Sequence, residues 1–143
     1  MKYQVTLDCW NVQQKVAQAI RYEVFVIEQQ VPVELEWDDM DDQCLHALAY
    51  DEHGRAIGTG RLLPDGHIGR MAVRKNARGA GIGGAILVAL MLQAKQRGDN
   101  AVLLNAQTHA ESFYLRHGFE REGDEFMEAG IPHIQMRHVF RAS

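Results

Sequence analysis

The sequence predicts an α/β chain of the α+β kind: a central, mixed but mostly antiparallel twisted sheet of about 6 to 7 strands flanked by about four helices. Three observations predict it. Short apolar runs separated by glycine-containing turns fill the middle of the chain, and one long apolar run of helical spacing follows four glycines. Beyond that run, strand-like and helix-like periods alternate to the end.

"KYQVTL" alternates as a first strand should, and "NVQQKVAQAIRYEVFVIEQQ" then carries Val12, Val16, Ala19 or Ile20, and Phe25 or Val26 close to helical spacing. Asn11 is the candidate cap of this helix, and Pro32 marks its end. The acidic "ELEWDDMDDQ" reads as a loop or a short helical turn. "CLHALAYD" and "RAIGTGRLL" flank "EHG", a hairpin turn, and "PDG" turns the chain into "HIGRMAV". "IGGAILVALMLQAKQRG" is a helix with Ile82, Ile86, Leu90 and Ala94 on one line, ended by Gly98, with Arg97 at the negative end of its dipole. "NAVLLNAQ" is a buried strand, "THAESFYLRHG" a short helix capped at Thr108 and stopped by Gly118, and "FEREGDEFMEAG" with "IPHIQMRHVF" closes the sheet.

A chain of 143 residues, 46% hydrophobic and 24% charged with three prolines, is expected to form a single domain over residues 1–143. No apolar h-region opens it, and no run approaches the roughly 18 apolar residues that span a bilayer, so a cytoplasmic protein without a membrane partner is expected. Cys9 and Cys44 lack CxxC spacing and read as reduced thiols. Net charge is −4, which argues against a nucleic-acid partner. From Tyr22 to Gly54 there are ten acids and no Lys or Arg, whereas Gly66 to Gly98 holds Arg70, Arg74, Lys75, Arg78, Lys95 and Arg97 and no acid. The acidic block is either a solvated face or a means of drawing in a cationic amine, such as a polyamine, an aminosugar or a lysine side chain.

Glycine costs about 1 kcal/mol relative to alanine inside a helix, so four in "RGAGIGG" (Arg78, Gly79, Ala80, Gly81, Ile82, Gly83, Gly84) need a local reason. A strand, a glycine turn and a helix N-terminus together make an anion site of backbone N–H groups, suited to a diphosphate. Gly79, Gly81 and Gly84 fit GxGxxG, but "RKNAR" separates the strand from the glycines and too little chain remains for a dinucleotide fold. No GK[ST] follows, which excludes a Walker loop.

Arg78, Gly81 and Gly83 spell Arg-x-x-Gly-x-Gly, and here the sequence resembles the GNAT superfamily of N-acetyltransferases over nearly its whole length. "AESFYLRHGF" resembles the family's A-x-x-F-Y-x-x-x-G-F segment, and "RYEVFVIEQQVP" and "EAGIPHIQM" resemble the ElaA-like subgroup. The resemblance implies acetyl-CoA as co-substrate. It places the pyrophosphate on the amides from Arg78 through Gly84 and nearby basic side chains toward the 3′-phosphate. It also implies that the strand holding Met71, Ala72 and Val73 splays from its neighbour so that its backbone meets the pantetheine and the thioester carbonyl. Gln107 stands seven residues before Tyr114, where the family often has Asn, and Tyr114 stands beside the CoA sulfur.

Acetyl transfer requires an ammonium to lose a proton and a thiolate to gain one. Tyr114 is the candidate acid, with a packing tyrosine as the competing role. Glu28, Glu128 and His133 are the candidate bases, against salt-bridged carboxylates and a backbone-bonded histidine. No HExxH occurs, and His133 and His138 fall on opposite faces of a strand, so no metal is expected. The expected activity moves an acetyl group to a primary amine of a small molecule or peptide by direct attack in a ternary complex. The alternative is a non-catalytic acetyl-CoA sensor, and a homodimer made by pairing open sheets is compatible with the resemblance.

Overall fold

The computed structural model describes residues 2–36 and 38–141. Trp37, inside the expected acidic turn, lies outside the described residues. Seven strands form two antiparallel sheets. The first holds β1 (Tyr3–Cys9), β2 (Leu45–Asp51), β3 (Ala56–Leu62) and β4 (Ile68–Val73) in that order. The second has the order β5 (Ala101–Gln107), β7 (Ile131–Val139), β6 (Glu120–Glu128). The mixed character of the sheet is confined to one parallel bridge, His67 to Leu103, which joins β4 to β5 at their starts. Beyond it the two edge strands run side by side without a ladder.

Four α-helices accompany the strands: α1 (Trp10–Arg21), α2 (Val33–Glu36), α3 (Ile82–Gln96) and α4 (Glu111–Arg116). Because successive strand residues face opposite sides, β2 sends Leu48 to Trp10, Ala17 and Ile20 of α1, while Ala47 and Ala49 join Ile82, Ile86 and Leu90 of α3. Gly58 and Gly60 of β3 have no side chain on the α3 face. A Cβ at Gly58 would lie 2.8 Å from Ile86, and one at Gly60 would lie 2.9 Å from the same residue. The bare strand lets α3 rest close against the sheet.

Three local expectations need correction. The first helix begins at Trp10, not after an Asn11 cap: the cap position is Cys9, whose side chain makes no capping hydrogen bond. It also does not run as one α-helix. From Tyr22 to Glu28 it widens into a π-helical segment, closed by Gln29 N–H donating to the Val24 carbonyl at 3.0 Å. Thr108 opens a 3₁₀ turn, Thr108–Ala110, and α4 follows with Ala110 at its cap. Gly98 does stand just past α3 with φ +97°, its N–H donating to Lys95.

The acidic segment is solvated only in part, with Glu23, Glu34, Asp39, Asp42 and Glu52 exposed. Arg21, 1% exposed, donates from Nε to Glu36 at 2.5 Å and from both Nη atoms to Asp41 at 2.9 and 3.1 Å. Arg61 bonds Asp41 at 2.9 Å and Asp38 at 2.7 Å. Three of the ten acids thus face inward against arginines that flank the block in sequence. Cys9 is exposed and Cys44 buried, both as free thiols, with burial pushing the Cys44 thiol up to about 11.

Candidate active site

Between the diverging edges of β4 and β5 lies a cleft of about 750 Å³. Its walls include the β4 residues Met71, Ala72 and Val73 and the β5 residues Leu104, Asn105 and Gln107. On the β5 side of β4 the bridge at His67 is the one strand pairing among the described residues, so peptide groups beyond it have no strand partner, though the Val73 carbonyl accepts from Arg78. The divergence expected at Met71–Val73 is present.

At the mouth of the cleft, Gly79 and Gly81 take φ +85° and +82°, left-handed conformations that favour glycine, and a Cβ on either would meet nothing within 4 Å. Gly81 is also the cap residue of α3, without a side-chain acceptor for the first N–H groups of the helix. These are the features an approaching diphosphate needs. The glycines divide their work, however. Gly83 and Gly84 lie inside α3, where a Cβ on Gly84 would stand 3.3 Å from His117, so Gly84 admits the following helix.

Arg78 is already engaged. Its two Nη atoms each donate to Glu28 at 2.7 Å, and Nε donates to the Val73 carbonyl at 2.9 Å. This fork ties the end of the π-helical segment to the glycine loop across the mouth. The hydrogen bonds from Arg78 hold the Glu28 carboxyl below its usual range, which weakens it as a base.

Tyr114 reaches the cleft from α4. Its ring meets Phe113 edge-on at 5.0 Å and Phe119 at 6.0 Å. Burial pushes its phenol up to about 12, so the hydroxyl keeps its proton throughout the neutral range. The same cleft is lined by His133, 5% exposed, whose Nδ1 lies 2.7 Å from the Ile131 carbonyl and whose ring stacks on Phe126 at 5.8 Å. A nitrogen facing a carbonyl carries the proton, which leaves Nε2 as the free position, 3.5 Å from Glu128 Oε2. Ladder register sets His133 beside Gln107, and Gln107 in turn donates to Gln29 at 3.0 Å. A two-residue turn, Ala129 (φ +52°) and Gly130 (φ +77°), returns β6 into β7 and brings Glu128 to the same cleft.

The cleft therefore brings together Tyr114, His133, Glu128, Glu28, Arg78, Gln107 and Met71–Val73. Gly79 to Gly84 adjoin it through Arg78 without lining it. Sequence reasoning missed Arg61 and Arg70, which line its inner wall with Glu36 and Asp38. Arg70 stands at a bulge: Thr59 pairs with Ala72 and Arg61 with Gly69, so two β4 residues oppose Gly60. Its φ of +48° is a strained conformation for a non-glycine residue and costs on the order of 1 kcal/mol. Among the described residues, no group of three or more His, Cys, Asp or Glu is placed to hold a metal ion, and no helix is long and apolar enough to cross a membrane.

Comparison with known proteins agrees with this geometry. A family model described as an acetyltransferase (GNAT) domain matches residues 11–140. The chain belongs to the GNAT acetyltransferase family and is an acyltransferase. It is 43% identical over 121 residues, 82% of this chain and 86% of the relative, to the uncharacterized N-acetyltransferase YjcF of Bacillus subtilis (strain 168). Among solved structures, an acyl-CoA N-acyltransferase from Pseudomonas aeruginosa superposes with a TM-score of 0.85 at 30% identity, covering 96% of this chain and 100% of that one. Escherichia coli ElaA does so with a TM-score of 0.84 at 25% identity, over 96% and 99%. Membership of the family implies use of an acyl-CoA.

Proposed function

We propose that this protein transfers the acetyl group of acetyl-CoA to a primary amine by direct attack within a ternary complex. The observation that carries this reading is the cleft itself. One wedge between β4 and β5 presents strand backbone without a strand partner, adjoins a glycine loop with open left-handed positions, and is lined by a protonated phenol and a histidine.

In this reading the N–H groups from Gly79 to Gly84 and the start of α3 bind the diphosphate, and Arg78 exchanges part of its hold on Glu28 for phosphate oxygens. The backbone of Met71, Ala72 and Val73 takes the pantetheine and polarises the thioester carbonyl. Gln107 orders the pantetheine arm from the β5 side. His133 removes a proton from the amine through Nε2, directly or through one water, and Glu128 stabilises the imidazolium that results. The nitrogen lone pair attacks the carbonyl carbon, a C–N bond forms, the C–S bond breaks, Tyr114 protonates the departing sulfur, and the second proton shed by the acylated nitrogen restores the phenol. Glu28 serves the mouth of the cleft, and its lowered basicity leaves proton removal to His133.

Calorimetric titration of acetyl-CoA tests the cofactor half, with NAD and ATP as controls. Micromolar binding of acetyl-CoA alone, lost in Gly81→Glu, is the expected result. Absence of acetyl-CoA binding overturns the reading.

A further inference from the structure

The inner wall of the cleft lies away from the glycine loop, near the bridge that joins β4 to β5. Arg70 precedes Val73 by three residues on β4, roughly 10 Å toward that closed end at about 3.3 Å per residue. Arg61 borders the same bulge on β3, paired with Gly69, the residue before Arg70. Both arginines line the same cleft as Tyr114 and His133.

Their hydrogen bonding is incomplete. Arg21 and Arg61 take Glu36, Asp38 and Asp41 with contacts of 2.5 to 3.1 Å. Arg70 is left with two long contacts of 3.4 Å, to the Leu35 carbonyl and Asp38, and sits 4.0 Å from Glu36. Among the described residues, the buried Nε of Arg61 and that of Arg70 have no partner. Both Nε atoms are enclosed, so the remaining N–H groups of Arg70, whose side chain is 28% exposed against 8% for Arg61, are what a ligand in the cleft can reach. Burial and the nearby Arg61 and Arg21 guanidiniums push the Arg70 guanidinium below its ordinary value, the mark of a cation with too little negative charge around it.

A guanidinium that lines the cleft, is partly exposed there, is held only by contacts of 3.4 Å and sits at a strained bulge describes a place for a small anion. Resting on the acetyl-transfer reading, we infer that the acceptor amine carries a carboxylate, bound by Arg70 with Arg61 behind it, while its nitrogen faces His133. The acceptor is an amino acid or a similar aminocarboxylate and not a simple polyamine. Its zwitterionic form suits both ends of the cleft, with Glu28 and Glu128 near the nitrogen and the arginines at the far wall. A monoanion also matches the site better than phosphate. Glu36, Asp38 and Asp41 match the three arginines one for one in charge, so a ligand is held by hydrogen bonds more than by net charge, and a dianion would set twice the uncompensated charge of a monoanion against those carboxylates.

Product pairs that differ by one carboxylate test this without requiring turnover. N-acetylalanine and N-ethylacetamide, N-acetylphenylalanine and N-phenethylacetamide, and Nε-acetyllysine and N-acetylcadaverine are titrated into protein saturated with CoA. In at least one pair the carboxylate member binds about tenfold more tightly or better, as expected for charge-assisted hydrogen bonds. Arg70→Gln abolishes that preference and Arg70→Lys restores part of it, with thermal melting showing that both variants are folded. Equal affinities in every pair, or a preference that survives Arg70→Gln, overturns the inference while leaving acetyl-CoA chemistry intact. A protein that binds no CoA overturns the acetyl-transfer reading and this inference together.

Discussion

His133 lies with Nδ1 2.7 Å from the Ile131 carbonyl and Nε2 3.5 Å from the Glu128 carboxylate, so its two nitrogens face groups of different kinds. The carbonyl fixes which nitrogen holds the proton, and the carboxylate stabilises the ring once a second proton arrives. His133→Gln is expected to lower kcat by about a hundredfold or more, in the range general bases supply, and to remove the acidic limb of the kcat/KM profile. Glu128→Gln keeps that limb with a smaller loss, roughly tenfold. An acidic limb unchanged in His133→Gln assigns the base elsewhere.

Tyr114 keeps its proton to about pH 12, so the acid form should be available across the whole assay range. Tyr114→Phe is expected to reduce kcat by roughly ten- to a thousandfold with little change in the KM for acetyl-CoA. The raised value also has a stability consequence. The contribution is fully present below the ordinary phenol value near 10 and is lost as pH rises toward about 12. Alkaline unfolding followed by circular dichroism should therefore be shallower in Tyr114→Phe. A kcat within twofold of wild type would remove Tyr114 from the chemistry.

Glu28 and Arg78 are both partly exposed, and exposed pairs of this kind contribute about 0.2 to 1 kcal/mol. Releasing Arg78 from Glu28 frees a bidentate donor for phosphate. Glu28→Gln is accordingly expected to tighten acetyl-CoA binding about two- to fivefold and to leave kcat within a few-fold of wild type. A hundredfold fall in kcat at unchanged affinity would make Glu28 the base after all.

Arg21 is held by Glu36 and Asp41 and also lies 5.5 Å over the ring of Trp10. Removing it leaves two carboxylates buried without their cation, so Arg21→Met should cost about 3 to 5 kcal/mol, read as a fall in Tm. The same network makes the fold acid-sensitive. Burial alone would raise the Asp38 carboxyl, but hydrogen bonds from Arg61 and the Met40 N–H outweigh it and hold it below its ordinary value. That contribution is present above the unfolded value near 3.9 and disappears as pH falls through the lower folded value. Melting curves should drop most steeply below about pH 4, and a stability independent of pH there would contradict the pairing.

Because Glu36, Asp38 and Asp41 are spent on arginines, they cannot steer a cationic amine as the acidic block suggested. The expected dependence of kcat/KM on ionic strength is shallow, and a steep loss with added salt would restore the steering role.

The order of strands and helices and the glycine loop were legible in the sequence because each depends on local spacing: alternation for strands, 3.6-residue periods for α3, a stop at Gly98; Tyr114 and His133 stood out only through segments that resemble a known family. The π-helical widening at Tyr22–Glu28 was not, since its residues keep an apolar period that an α-helix would also satisfy. Nor were the charge pairings. Arg21 meets Glu36 across 15 residues, Arg61 meets Asp38 across 23 and Arg78 meets Glu28 across 50. Composition displayed an acidic block and a basic block. Sheet register and one bulge in β4 decided which members would neutralise each other and which arginine would be left facing the cleft, because an ion pair forms only where the packed backbone brings two charges within about 4 Å.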